Sequence, residues 1–71
     1  MERLGEKLSA LRKKRGLTIR QLGEMLGVYH SYVSQIEKGK KTPNAAMIIK
    51  IADIFGVTTD QLMRDELELD E

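Results

Sequence analysis

The side chains best suited to specific chemistry stand close together. His30, Ser31, Tyr32, Ser34 and Gln35 are polar or amphipathic and largely uncharged, and they surround Val33 and Ile36, which lie three apart. That spacing predicts a short helix with one buried stripe and one polar face. An ordinary solvated face collects Glu, Lys and Arg. A face of hydroxyls, an imidazole and an amide can instead donate and accept hydrogen bonds to base edges. Covalent chemistry is poorly supplied: the chain has one His and no Cys, so a Cys–His nucleophile, a disulfide framework and a Cys-based zinc site are excluded. The Asp/Glu residues at the end of the chain read as a solvated tail, not as a carboxylate pair in a cleft. No enzyme, cofactor or metal is expected.

The elements that must position this face are legible around it. Thr18 and Gln21 have the spacing of a capping box, with Leu17 and Leu22 as a flanking staple. Leu22 and Leu26 share one face of the helix that follows. Gly23 between them costs about 1 kcal/mol relative to Ala, so its presence implies a close approach by another helix. Gly27 suits the left-handed residue that ends a helix, and Val28 anchors the turn. Leu17 to Gly39 is thus read as a helix-turn-helix, a motif that points to DNA.

Five helices and no strands are expected in all. The first spans about Glu2 to Lys14, with Leu4, Leu8 and Leu11 on one face and Gly16 as its stop. The fourth starts near Thr42-Pro43-Asn44, with Pro at the first helical position, and runs to Phe55 before Gly56. The fifth opens at Val57-Thr58-Thr59-Asp60-Gln61-Leu62, which repeats the apolar-Thr-x-x-Gln-Leu pattern of Leu17 to Leu22, and frays after Arg64. Residues 1–71 read as one domain with an acidic tail over about 65–71. No apolar run is long enough for a membrane span, and no signal peptide is recognisable, so a soluble cytoplasmic protein is expected. Residues 1–41 carry ten Lys/Arg against four Asp/Glu, whereas residues 42–71 carry two against seven. Halves of about +6 and −5 would turn the basic part toward phosphates.

Leu22, Gly23, Leu26, Gly27, Val28, Val33, Ile36 and Glu37-Lys38-Gly39, followed by Pro43 and by Ile51-Ala52 to Phe55-Gly56-Val57, resemble the lambda-repressor-like helix-turn-helix regulators of the Xre/Cro class. The resemblance runs from about Leu4 to Met63. It implies a compact all-α, five-helix DNA-binding fold, with double-stranded DNA as partner. Carried over residue by residue, it places His30, Ser31 and Gln35 against base edges in the major groove. A Gln amide can pair bidentately with adenine. Thr18, Arg20, Tyr32, Ser34, Lys38, Lys40 and Lys41 are placed against the sugar-phosphate backbone, where they position the protein without reading sequence. Arg12 and Glu37 resemble the family's ion pair between helix one and the end of helix three.

Three positions depart from the family pattern. Ile19 stands where many relatives have a phosphate-anchoring Gln, a contact either missing or replaced by Arg20 or a backbone amide. Tyr29 stands where a Ser often caps the recognition helix; Ser31 or His30 could serve instead. His30 replaces a long cation, so an Arg-type guanine contact is not expected.

Met47, Ile48, Ile49, Ile51, Ala52, Ile54 and Phe55 cover more of helix four than one core seam requires. Ile48, Ala52 and Phe55 suit the core. Met47, Ile49 and Ile54, with Leu62, Met63, Leu67 and Leu69, are candidates for a homodimer interface. A repressor acting as a homodimer on an inverted repeat is the main functional expectation. The alternative is a protein-interaction module of the same fold, antitoxin-like or controlled by a regulatory protein partner.

Overall fold

The computed structural model describes residues 1–69 and contains five helices: α1 (Leu4–Lys14), α2 (Ile19–Leu26), α3 (His30–Glu37), α4 (Ala45–Phe55) and α5 (Thr59–Met63). Among the described residues there is no strand. Asp70 and Glu71, the last two residues of the expected acidic tail, lie outside them.

Three helix starts, those of α2, α4 and α5, follow from a local side-chain cap. Thr18 caps α2: its hydroxyl oxygen accepts from the Gln21 N–H at 3.0 Å, while the Gln21 amide oxygen accepts from the Thr18 N–H at 2.8 Å. Thr58 and Gln61 repeat this at α5, at 3.0 and 2.9 Å. Asn44 caps α4 by accepting from the Met47 N–H at 2.8 Å, so Pro43 lies before the cap and not at the first helical position. Gly27 ends α2 in the left-handed region at φ 76°.

Leu8, Leu22, Val33, Ile51 and Leu62 have essentially no exposure and form the centre of the core, which Leu4, Leu11, Leu26, Ile36, Ile48, Ala52 and Phe55 complete. α4 turns Ile48, Ile51, Ala52 and Phe55 inward, a helical stripe at i, i+3, i+4 and i+7. α2 and α3 pack against each other, α1 lies across α3, and α5 bridges α1 and α4.

The N-terminus and the tail depart from the sequence reading together. α1 begins at Leu4 and not at Glu2, because the Glu2 and Arg3 N–H groups donate to the Asp65 carboxylate at 3.0 and 2.9 Å. A residue more than sixty positions away thus does the work of a cap. The tail after Arg64 folds back along α1 where fraying was expected. Lys7, 1% exposed, donates from Nζ to the carbonyls of Gln61, Arg64 and Leu67 at 2.6, 2.8 and 2.7 Å. Arg3 adds bonds to the Asp65 carbonyl and to Glu68. The acidic residues at 65 and 68 are therefore structural partners, since they satisfy backbone and side-chain donors that α1 leaves open.

Candidate nucleic-acid interface

Two glycines set the position of α3. A Cβ on Gly23 would stand 2.8 Å from the Val28 carbonyl oxygen and 3.2 Å from the His30 nitrogen, so α2 meets the turn and the start of α3 at backbone distance. Gly5 of α1 meets the other end of α3. A Cβ there would fall on the Ile36 carbonyl and within 2.7 Å of the Glu37 oxygen. A glycine inside a helix carried the same signal here as at Gly23, and the sequence reading missed it. Lys50 of α4 was missed as well: its Nζ donates to the Leu26 carbonyl at 3.2 Å and closes the end of α2.

A buried ion pair fixes the remaining freedom of α3. Arg12 Nε reaches Glu37 Oε2 at 2.7 Å and Arg12 Nη2 reaches Oε1 at 3.1 Å, with the two side chains 12% and 9% exposed. Nη1 donates to the Leu17 carbonyl at 2.8 Å, so one guanidinium holds the end of α3 and the lead into α2 together. The Glu37 hydrogen bond raises the Arg12 pKa above its ordinary value, against the desolvation that lowers it. Two-point contact of this kind fixes direction as well as distance.

On the outer face of α3, His30 and Ser31 are exposed while Ser34 and Gln35 are half-buried. Tyr32 leans onto the core and is half-buried too. Lys38, Lys40 and Lys41 are exposed beyond the helix end, where the Lys40 and Lys41 N–H groups both donate to the Gln35 carbonyl, at 2.8 and 3.3 Å. The backbone thereby holds these lysines beside the polar face. Thr18 and Arg20 are exposed at the start of α2; the Thr18 hydroxyl oxygen is engaged in the capping box and its hydrogen can still be donated. Neither Ser31 nor His30 caps α3. Tyr29 occupies the N-cap position, and no side chain satisfies the helix there.

The residues expected at a dimer interface separate on burial. Ile49 is 52% exposed, Met63 and Leu67 are also exposed, and Met47, Ile54 and Leu69 are half-buried against the core. Leu62 is corrected: it has no exposure, because the capping box at Thr58 turns it inward as the helix's one core anchor. Among the described residues no group of His, Cys, Asp or Glu is placed to hold a metal, and no helix is long and apolar enough to cross a membrane.

The geometry agrees with what known proteins share with this chain. A helix-turn-helix family model matches residues 8–62. The HTH-type transcriptional repressor RghR of Bacillus subtilis (strain 168) is 42% identical over 64 residues, which cover 89% of this chain and 47% of RghR. The uncharacterized HTH-type transcriptional regulator YazB of the same organism is 34% identical over 62 residues, 87% of this chain and 90% of YazB. The chain thus spans about half the length of RghR and most of YazB. Among solved structures, the P22 c2 repressor in complex with synthetic operator 9T superposes with a TM-score of 0.82 at 28% identity, covering 89% of this chain and 96% of that one.

Proposed function

The chain belongs to the helix-turn-helix family of transcriptional regulators, in its lambda-repressor-like class, and on that premise we propose that it represses transcription by binding double-stranded DNA in a sequence-specific manner. One observation carries the reading. α3 offers an outward face of uncharged donors and acceptors, while Arg12, Gly5 and Gly23 hold its two ends at backbone and ion-pair distance. A rigid helix with a hydrogen-bonding face is what major-groove readout requires.

In this reading His30, Ser31 and Gln35 meet base edges. Thr18, Arg20, Tyr32, Ser34, Lys38, Lys40 and Lys41 meet sugar and phosphate. Residues 1–71 act as one DNA-binding unit in the cytoplasm, and two copies associate through Ile49, Met63 and Leu67 with support from Met47, Ile54 and Leu69. The exposure of Ile49 supports that association. Two copies would place two α3 helices on an inverted repeat about one helical turn apart.

Selection from a pool of randomised duplexes at near-physiological salt is the direct test. Enrichment of an inverted repeat is expected. Retention without sequence preference would instead favour a protein-interaction module, for which the exposed apolar side chains at Ile49, Met63 and Leu67 speak. On the enriched duplex Gln35→Ala should cost roughly 1–3 kcal/mol and leave random-duplex binding nearly unchanged. Equal losses on both would remove Gln35 from base readout. Lys40→Ala should weaken both duplexes alike and flatten the salt dependence, and an unchanged slope would take Lys40 off the phosphates.

A further inference from the structure

Among the described residues four helix starts lie at an N-cap residue with extended backbone, and at three of them, Thr18, Asn44 and Thr58, the side chain accepts a backbone N–H. The exception is α3, the helix that carries the polar face. Its N-cap is Tyr29, with φ −67° and ψ 148°, a backbone that would suit Ser or Thr equally well. A hydroxyl or amide cap typically contributes about 1 kcal/mol, and α3 goes without one.

What occupies the position instead is an aromatic ring that the fold does not use. Tyr29 is 83% exposed, and the next most exposed large apolar side chain among the described residues, Ile49, is 52% exposed. Tyr29 lines an open surface cleft with Gly23, Glu24, Gly27 and Val28, and it stands directly before His30 and Ser31 in the chain. It sits at the N-terminal end of α3, the end that enters the major groove in helix-turn-helix recognition.

From this placement, and resting on the DNA-binding reading above, we infer that Tyr29 is a specificity-determining residue that packs its ring on the C5-methyl edge of thymine. The residue gives the otherwise polar face of α3 an apolar reader. His30, Ser31 and Gln35 can pair with the acceptors and donors of base edges, but the thymine methyl has no hydrogen-bonding partner and is read by apolar contact. Deoxyribose or phosphate contact would leave a ring at this position indifferent to sequence. An exposed aromatic residue directly before two candidate base readers, His30 and Ser31, favours the base edge over a protein partner, whose surface would have to reach the same place beside the DNA.

The test compares the wild-type chain with Tyr29→Ser and Tyr29→Phe on the duplex that the wild type selects, synthesised with thymine or with uracil at each thymine position in turn. Tyr29→Ser installs a good cap at an exposed site, so the fold survives, which helical circular dichroism and its melt will verify. The expected result is that one or two thymine→uracil changes weaken wild type and Tyr29→Phe by about four-fold each, the value of one buried methyl group, and leave Tyr29→Ser unmoved. Tyr29→Ser should also bind the all-thymine duplex more weakly than wild type, with unchanged binding to random duplex. If Tyr29→Ser binds the selected duplex as tightly as wild type, or keeps the wild-type sensitivity to uracil, the inference is overturned. If it loses random-duplex binding equally, Tyr29 serves the backbone and the inference fails. If wild type selects no duplex, the DNA-binding reading itself fails, a result distinct from the others.

Discussion

The two ends of α1 are both fastened by a cation, and they fasten different things. Near its C-terminal end Arg12 holds a carboxylate, Glu37, and through it α3. Near its N-terminal end Lys7 holds three backbone carbonyls, and through them the tail after α5. The planar guanidinium gives a two-point contact that resists rotation, whereas an ammonium gathers acceptors around a point. Arg12 is thus suited to setting the angle of α3, and Lys7 to closing a helix end and its following turn. The prediction from this contrast is a crossing: the Lys7 site should matter more for stability, and the Arg12 site more for DNA affinity relative to its effect on stability.

The largest stability effect is expected from Lys7→Met. The substitution keeps the aliphatic stem but leaves the carbonyls of Gln61, Arg64 and Leu67 without their shared donor, and loss of charged hydrogen bonds at a buried site should destabilise by about 3 kcal/mol. In a chain of this size that lowers Tm by on the order of 12–24 °C. At a temperature where the variant remains folded, duplex affinity should stay within about three-fold of wild type, since a change of that size corresponds to under 1 kcal/mol. A melt within a few degrees of wild type would show that water replaces the ammonium without cost.

Arg12→Met should destabilise by about 2 kcal/mol, because it strands a carboxylate that is nine-tenths buried. Pairing it with Glu37→Leu should recover most of the stability, since a buried ion pair contributes little beyond an apolar pair of similar size. Duplex affinity should not recover. Recovery of both in the double variant would mean that the ion pair has no orienting role and would erase the distinction between the ends of α1.

The same contrast explains what could be read in advance. Arg12 and Glu37 were legible because they fall in a recurrent pattern, and the capping boxes at Thr18 and Thr58 were legible because their partners lie three residues away. Gly27 and Gly23 were legible for related reasons, as local chain chemistry. Lys7 and Asp65 act on partners distant in sequence, and nothing in their immediate neighbours announces those partners, whereas Gly5 carried the same helix-interior glycine signal as Gly23 and was overlooked. One signal was present for Lys7: positions 4, 7, 8 and 11 form one helical stripe, so a lysine stood inside the row of Leu4, Leu8 and Leu11. A lysine in an apolar row needs acceptors, and the carbonyls of Gln61, Arg64 and Leu67 supply them. Leu62 was misassigned to an interface because apolar type alone does not distinguish a core anchor from an exposed contact.

Acid should act mainly on the tail end of α1. The Asp65 carboxyl is held below its ordinary pKa by the N–H groups of Arg3 and Glu2, and Glu68 is held low by the Arg3 guanidinium. A carboxyl whose folded pKa is depressed binds its proton more readily when unfolded, so its contribution is fully present above the unfolded value of about 4 and is lost as pH falls through the folded value. Stability of the wild type should therefore decline from about pH 5 downward. Asp65→Asn should be less stable than wild type at neutral pH, through loss of the charged acceptor that caps α1, and the difference should shrink toward the acid limit. Because Glu68 is exposed and Asp65 only half-buried, this effect should be the smallest of the three. Urea unfolding of both proteins at a series of pH values measures it: converging curves tie the acid response to the Asp65 cap, whereas parallel curves would assign it to other carboxylates and leave the tail contact without a charge-dependent role.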